Sequence, residues 1–258
     1  MPVDETILLS AKNLCAGYHR KEVLKDVSVD FEKGKITVIA GENGCGKSTL
    51  LKTLIRLIPR TGGDIFAGNQ SIDELSAREL AQKVSYLPQN KPIPDLTVMT
   101  MVLHGRFSHL GYPRRYREED YDAAREAIRL TELNGMEDAY LSQLSGGTQQ
   151  RVFLAMALAQ DAPVILMDEP TSIMDLSHQI RFLKLCRTLG EQGKAVVMVL
   201  HDLPAALTYA DRLIVMSQGK VVSSGTPEQI YASRILDRVF GITLKKTETP
   251  TGSLYYVP

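Results

Sequence analysis

Short, mainly apolar runs alternate with amphipathic segments along most of the chain. The runs that predict buried strands lie at residues 36–40, 84–87, 164–167, 195–200 and 213–216. Strands that are apolar on both faces are typical of parallel sheets covered by helices. Helical patterns begin at Ser48, Ser177 and Leu203, each directly after or between these runs. This alternation predicts an α/β protein with a mostly parallel sheet.

Four regions depart from this alternation. Residues 7–31 alternate apolar and polar positions around a turn near His19, Arg20 and Lys21, which predicts an antiparallel N-terminal β region. Glycines flank a very short strand predicted within residues 64–67, and residues 244–257 predict a final hairpin. Helical patterns dominate the fourth region, at residues 97–104, 118–131 and 147–159. We therefore expect one domain, residues 1–258, with a core formed by 1–89 and 160–258 and a helical subdomain at 90–159.

A glycine-rich loop separates the strand at residues 36–40 from the helix that follows it. The loop and the start of that helix read Gly41, Glu42, Asn43, Gly44, Cys45, Gly46, Lys47, Ser48 and Thr49, which fits the phosphate-binding pattern G-x-x-x-x-G-K-[ST]. Glycines let successive backbone N–H groups and the helix N-terminus point at phosphate oxygens. Lys47 is expected to place its charge at the β- and γ-phosphates, and the Ser48 hydroxyl to bind Mg²⁺. The pattern predicts a nucleotide site.

Polar side chains stand where several predicted strands end. Asp168 and Glu169 close the strand at 164–167, His201 follows the strand at 195–200, and Gln89 comes just after residues 84–87. At the carboxyl edge of a parallel sheet, Asp168 would lie beside Mg²⁺ and Glu169 could act as a general base toward an attacking water. His201 could contact the γ-phosphate there. Taken alone, Gln89 and His201 could equally be polar residues that end a strand and have no role in a site.

A second anion site is indicated before the helix at residues 147–159. Ser145, Gly146 and Gly147 would offer a hydroxyl and free backbone N–H groups at that helix N-terminus. One chain cannot easily fold this segment onto its own phosphate loop. Two chains that face each other can close it over the partner's γ-phosphate.

The composition limits the kinds of partner that we expect for this chain. Lys and Arg (30) balance Asp and Glu (30), so no global field favours nucleic acid. The longest apolar stretch, residues 152–159, is too short to span a bilayer, so membrane association would require a partner. The cysteines Cys15, Cys45 and Cys186 are far apart and indicate reduced thiols. Cys45 stands at a helix start, where we expect a stabilised thiolate open to modification.

Together these motifs resemble ATP-binding cassette (ABC) ATPases in their order and spacing. The resemblance covers residues 7 to about 242 and rests on residues 41–49, Gln89, 144–151, 164–169, 172–175 and His201. It implies a P-loop nucleotide hydrolase core that binds ATP with Mg²⁺, Tyr18 on the adenine and His201 as the switch residue. It also implies that Gln89 senses Mg²⁺ and a membrane permease, and that Asp175 communicates across a head-to-tail dimer that sandwiches two ATP molecules.

Finer features resemble the ATPases of iron–siderophore, haem and cobalamin importers. They are His104, Gly105 and Arg106 before an arginine-rich segment, the stretches 175–180 and 225–230, and residues 201–203. This resemblance implies a permease, a substrate-binding protein acting through it, and a location at the cytoplasmic face of the cell membrane. A soluble cassette ATPase without a transport role, such as an iron–sulfur assembly factor, stays open as the alternative.

Two positions differ from the residue that is usual in the family, and one segment is rich in arginine. Thr148 stands where the family signature has glutamine, which predicts at most a weaker or slower dimer, and Met174 stands where leucine is usual. For Arg114, Arg115 and Arg117 a self-compensating charge cluster with the acidic residues that follow is as plausible as contact with a partner.

Overall fold

The computed structural model describes residues 5–19, 21–89, 91–249 and 252–258. Within these residues the strands are β1 (Ile7–Tyr18), β2 (Lys21–Glu32), β3 (Ile36–Gly41), β4 (Arg60–Ala67), β5 (Gln70–Ser71), β6 (Val84–Leu87), β7 (Val164–Asp168), β8 (Ala195–Val199), β9 (Arg212–Ser217), β10 (Lys220–Gly225), β11 (Lys245–Thr249) and β12 (Gly252–Tyr256). The α-helices are α1 (Lys47–Leu54), α2 (Ala77–Lys83), α3 (Val98–Leu103), α4 (Glu118–Leu130), α5 (Gly146–Ala159), α6 (Leu176–Glu191), α7 (Leu203–Tyr209), α8 (Pro227–Ala232) and α9 (Ile235–Phe240).

The central sheet has the strand order β10-β9-β3-β8-β7-β6. Its strands from β9 to β6 run parallel, and β10 pairs antiparallel with β9 at one edge. Every residue of β3, β7 and β8 is buried, as expected for strands covered on both faces. The prediction of an α/β fold with a mostly parallel sheet is therefore confirmed. The carboxyl ends of β6, β7 and β8 lie side by side at one edge.

The second sheet is antiparallel, in the order β2-β1-β4-β5. The long pair of β1 and β2 confirms the N-terminal antiparallel region, while Arg20 of the predicted turn lies outside the described residues. The predicted very short strand is wrong, because β4 extends over 8 residues along β1. Gly63, at φ +79°, brings its backbone so close to β1 that a Cβ would lie 2.4 Å from the Asn13 carbonyl oxygen. The glycines are thus part of the strand, where we expected them to end it.

Helices occupy the region in which helical patterns dominate the sequence. The bounds of α3, α4 and α5 agree with the sequence patterns to within a residue at each end, and the Thr97 hydroxyl accepts a hydrogen bond from the Thr100 backbone N–H to cap α3. At the C-terminus, β11 and β12 form the expected hairpin, whereas Pro250 and Thr251 of its turn lie outside the described residues. Helices α8 and α9 were not predicted, because each has only 6 residues and little periodicity to detect.

Two apolar cores hold the layers together. One lies between the two sheets and surrounds α1, with Leu50, Leu51 and Leu54 fully buried among residues of β1, β2 and β3. The other packs α3 to α7 against the opposite face of the central sheet. Since α1 is clamped between two sheets, the loop that precedes it is held at the carboxyl edge of β3.

Candidate functional site

The loop between β3 and α1 depends on two glycines. Gly44 and Gly46 have φ values of +76° and +110°, a region that side-chain-bearing residues rarely adopt. A Cβ at Gly46 would also lie 3.0 Å from Leu24 Cδ2. The conformation therefore favours glycine at both positions, and at Gly46 the packing is tight as well, so the loop can curve closely around an anion.

Lys47 lies inside this curve. Its side chain is buried, and Nζ donates hydrogen bonds to the carbonyl oxygens of Gly41 (2.7 Å) and Glu42 (2.9 Å). Since Lys47 is also the first residue of α1, its positive charge lies next to the positive end of the helix dipole. Such a concentration of donors and charge suits a phosphate chain.

Asp168 ends β7 with only 1% of its surface exposed. Its Oδ1 accepts a hydrogen bond from Ser48 Oγ at 2.9 Å, and Oδ2 accepts one from the Tyr86 hydroxyl at 3.4 Å. Burial raises the pKa of Asp168, while the hydrogen bond from Ser48 opposes that rise. A hydroxyl and a carboxylate that converge in this way are oxygen ligands of the kind that Mg²⁺ takes beside phosphates, so these residues fit the ion.

Glu169 lies between residues from the two neighbouring strand ends. Its Oε1 is 2.5 Å from His201 Nε2, and its Oε2 accepts a hydrogen bond from Gln89 Nε2. Glu169 has φ +50°, a left-handed backbone conformation that costs a non-glycine residue about 1–3 kcal/mol. Because β6, β7 and β8 are adjacent, three residues far apart in sequence meet at one point.

The predicted nucleotide-site residues line a common cleft of about 490 Å³. Its lining consists of Tyr18, Val23, Asn43, Gly44, Gly46, Lys47, Ser48, Thr49, Gln89, Glu169 and His201. Tyr18, at the end of β1, has 47% of its surface exposed, so its ring is free to meet a flat ligand. Gly41, Cys45 and Asp168 are buried and are not part of this lining.

The expected thiolate at Cys45 is wrong. The residue is 5% exposed, and burial raises the pKa of its thiol above 9.0, more than the nearby Lys47 lowers it. The position at a helix start suggested that the thiol pKa would be lowered, but desolvation of the thiolate has the larger effect on that pKa. Cys45 is a packed part of the loop.

The second predicted anion site does not line the cleft of its own chain. Ser145 caps α5, where its hydroxyl accepts a hydrogen bond from the Thr148 backbone N–H at 3.3 Å and lies 3.0 Å from the Thr148 hydroxyl. An added Cβ at Gly146 or Gly147 would meet no atom within 3.6 Å other than its own neighbours, the closest contacts being 3.9 and 3.7 Å. Packing within the chain therefore does not explain these glycines.

Asp175 caps the next helix. It accepts hydrogen bonds from the His178 backbone N–H and the Ser177 hydroxyl, and its Oδ2 lies 2.8 Å from His178 Nδ1. The His178 backbone N–H, followed by these side-chain hydrogen bonds, holds the pKa of Asp175 well below its ordinary value. Met174, immediately before it, is 8% exposed and fills the apolar core as leucine would.

Sequence patterns missed two polar residues beside the site. Gln150, within α5, is 4% exposed and hydrogen-bonds to Pro170 and Lys91. Burial lowers the pKa of Lys91 to about 8. Gln150 lies three residues after Gly147 of the signature, but nothing in the periodicity of α5 indicated that its side chain would face the loop after Glu169.

The arginine-rich segment is not neutralised by the acidic residues after it. Glu118 pairs with Arg125, and Asp120 pairs with Arg106 at 3.0 Å. Within the part of the chain that the structure describes, Arg114, Arg115 and Arg117 form no ion pair, and Arg114 stacks 4.6 Å over the Phe107 ring. The interpretation as a self-compensating cluster loses its support.

No helix among the described residues is long and apolar enough to cross a membrane. Within the same residues, no group of three or more His, Cys, Asp or Glu side chains is arranged to hold a metal ion.

Comparisons with known proteins agree with this geometry. Residues 24–172 match the family model described as ABC transporter. The chain is 37% identical over 253 residues to the ferric enterobactin transport ATP-binding protein FepC of Escherichia coli K12, covering 97% of this chain and 93% of that protein. It is 37% identical over 254 residues to the hemin import ATP-binding protein HmuV of Rhodococcus jostii RHA1, covering 98% and 86%.

Solved structures give the same result for the fold. A metal-chelate type ABC transporter in an inward-facing conformation superposes with a TM-score of 0.83 at 26% identity, over 98% of this chain and 97% of that one. The dimeric bacterial ABC transporter cassette MJ0796 superposes with a TM-score of 0.75 at 30% identity, over 85% and 98%. This chain belongs to the ABC transporter family, and it is an ATP-binding, ATP-hydrolysing transporter subunit.

Proposed function

We propose that this chain powers an importer of an iron chelate, haem or cobalamin by hydrolysing ATP beneath a separate membrane permease. The observation that carries the catalytic part is the placement of Glu169 between His201 and Gln89, at the edge of the cleft that Lys47 enters. The relatives named for ferric enterobactin and hemin support the cargo class.

In the proposed reaction the phosphate loop holds the triphosphate and Glu169 acts on water. The loop N–H groups and Lys47 neutralise the β- and γ-phosphates, while Tyr18 stacks on the adenine. Glu169 accepts a proton from the water as it attacks the γ-phosphate in line. Gln89 and His201 restrict the carboxylate to one orientation, and His201 contacts the γ-phosphate.

The residues that would hold Mg²⁺ are Ser48 and Asp168, with Gln89 contributing at the rim. When bound, the ion would neutralise charge on the phosphate oxygens. The hydrogen bond between Ser48 and Asp168 supports this assignment, because both oxygens are already directed at one position beside α1.

Two copies of the chain are proposed to close head to tail over two ATP molecules. Ser145, Gly146 and Gly147 of one copy would meet the γ-phosphate held by the other, and Asp175 would lie at the junction. The absence of tight packing that would require glycine at these two described positions supports this arrangement. ATP bridges the copies and hydrolysis removes the bridge, which gives the two states the differential affinity that a motor requires.

The permease is proposed to dock on residues 90–159, which we take as a helical subdomain beside a core formed by residues 1–89 and 160–258. Among the described residues Arg114, Arg115 and Arg117 have no ion-pair partner, which supports a contact there with an acidic partner surface. The chain would then lie at the cytoplasmic face of the membrane, with a substrate-binding protein acting through the permease. Nothing in the balanced charge favours nucleic acid.

The test is to purify the Glu169→Gln variant with ATP from detergent-solubilised native membranes and to identify the proteins that accompany it. We expect a permease with many membrane-spanning helices and little turnover by the variant. Recovery only from the cytosol, with soluble companions such as iron–sulfur assembly factors, would refute the importer. Rapid hydrolysis by the variant would refute the role of Glu169.

A further inference from the structure

A buried polar bridge connects helix α5 to the loop after Glu169. Gln150 Nε2 donates a hydrogen bond to the Pro170 carbonyl oxygen at 2.9 Å. On the other side of the same amide, Lys91 Nζ donates to Gln150 Oε1 and lies 4.6 Å above the Phe153 ring. Only 4% of the Gln150 surface is exposed, so water does not compete for these bonds.

The two partners allow only one orientation of the Gln150 amide. An ammonium group is only a donor, and a backbone carbonyl is only an acceptor. Rotating the amide by half a turn would direct its NH₂ group at the Lys91 ammonium and its oxygen at the Pro170 carbonyl. Lys91 therefore fixes the amide in the orientation in which it holds Pro170.

Pro170 directly follows the residue with the strained backbone. The proline ring restricts its own φ, so anchoring the Pro170 carbonyl also restricts the peptide that joins it to Glu169. Glu169 keeps its left-handed φ of +50° only if the surroundings enforce it. The bridge from α5 is such a constraint, and it acts on the main chain rather than on the carboxylate.

We infer that Gln150 is a positioning residue that holds the backbone of Glu169 through the Pro170 carbonyl, with Lys91 fixing the orientation of the Gln150 amide. This inference rests on the proposed function, because it takes Glu169 as the general base. It also links the helix that begins at Gly146 to the residue that activates water. Neither Gln150 nor Lys91 touches the nucleotide cleft.

The experiment compares steady-state ATP hydrolysis by the full-length Gln150→Leu and Lys91→Met variants with that of the unaltered chain. Gln150→Leu should lower kcat by about tenfold to a hundredfold, because a small misplacement of a catalytic group has effects of this size. The KM for ATP should stay within about twofold, since the cleft is unchanged. Lys91→Met, which leaves the glutamine in place but free to rotate, should show a smaller fall in kcat.

Gln160→Leu is the matched control. Gln160 follows α5 and its amide donates hydrogen bonds to the carbonyl oxygens of Ala81 (2.5 Å) and Val84 (3.1 Å), so the same change removes side-chain hydrogen bonds to the main chain far from Pro170. The Gln160→Leu variant should have an unchanged kcat. Thermal unfolding of each variant reports on folding, and if Gln150→Leu does not fold, Lys91→Met decides the question.

A double-variant comparison separates positioning from a merely structural role. When combined with Glu169→Gln, Gln150→Leu should cause no further loss of hydrolysis, because both act through one carboxylate. A full multiplicative loss there, or an unchanged kcat in both single variants, would overturn the inference. Normal turnover by the Glu169→Gln single variant would instead refute the proposed role of Glu169, independently of the result for Gln150→Leu.

Discussion

At the scale of single residues, local sequence defines the phosphate loop, but burial decides the chemistry of its members. Lys47 and Cys45 are two positions apart in one motif. The ammonium of Lys47 is held by two carbonyl oxygens inside the loop, whereas burial suppresses ionisation of the Cys45 thiol. A motif therefore names the ligand class, and the surroundings determine which side chains are chemically active.

Lys47→Ala should abolish most of the affinity for ATP. The change removes the charge that we propose faces the β- and γ-phosphates, and a charge-assisted contact of this kind contributes about 1.5–3 kcal/mol, or roughly tenfold to a hundredfold in Kd. Equilibrium binding of ATP measures the effect, with Lys220→Ala, an exposed lysine on β10, as the control. Unchanged affinity in Lys47→Ala would argue against this loop as the phosphate site.

At the scale of elements, one buried ion pair secures the start of α4. Asp120 is 6% exposed and accepts hydrogen bonds from Arg106 Nε and the Arg117 backbone N–H, both at 3.0 Å. Burial alone would raise the pKa of Asp120, but these two hydrogen bonds together bring it below its usual value of 3.8. The ionised carboxylate therefore joins α4 to the residues after α3.

Asp120→Asn should lower the free energy of unfolding by about 2 kcal/mol at pH 7, the scale of a hydrogen bond to a charged group. Because the pKa is lower in the folded protein than in the unfolded chain, the stabilisation is complete above about pH 4 and is lost as the pH falls through the folded value. Urea unfolding from pH 7 to pH 3 should show the two proteins converging. Asp122→Asn, on the exposed face of α4, should change little at any pH.

At the scale of the whole molecule, the cleft is only half of the proposed site. The residues that line the cleft converge within one chain, while Ser145 and its glycines are not part of that lining. A likeness to the dimeric cassette MJ0796 agrees with completion by a second copy. A Cβ at Gly146 would make only an ordinary contact, 3.9 Å from Ile173 Cδ1, so a substitution there tests this arrangement without disturbing the fold of the single chain.

Gly146→Asp should prevent ATP-dependent dimerisation and leave the monomer intact. A Cβ at this position would lie 3.9 Å from Ile173 Cδ1, an ordinary contact, and a carboxylate suits the first turn of α5, but it would oppose the partner's γ-phosphate. Light scattering on Glu169→Gln with ATP should give a dimer, and the same protein with Gly146→Asp should stay monomeric with unchanged thermal unfolding. A stable dimer of the double variant would contradict the head-to-tail arrangement.

The sequence by itself determined what depends on neighbours along the chain. The glycine loop with Lys47, the carboxylates Asp168 and Glu169, and most strand and helix positions follow from short-range patterns, because a buried strand or a helix cap is specified within a few residues. The resemblance to ABC ATPases rests on the order of such motifs. Its family-level implication is confirmed, while the roles of individual site residues stay predictions.

Only the tertiary structure decided what depends on which strands are neighbours. The order β8-β7-β6 brings His201 and Gln89 to the two sides of Glu169, and no local pattern encodes that adjacency. Pairing with β1 lengthens β4 through its glycines, and packing directs Gln150 at Pro170. Long-range pairing and burial involve residues far apart in sequence, so their consequences appear only when the chain is folded.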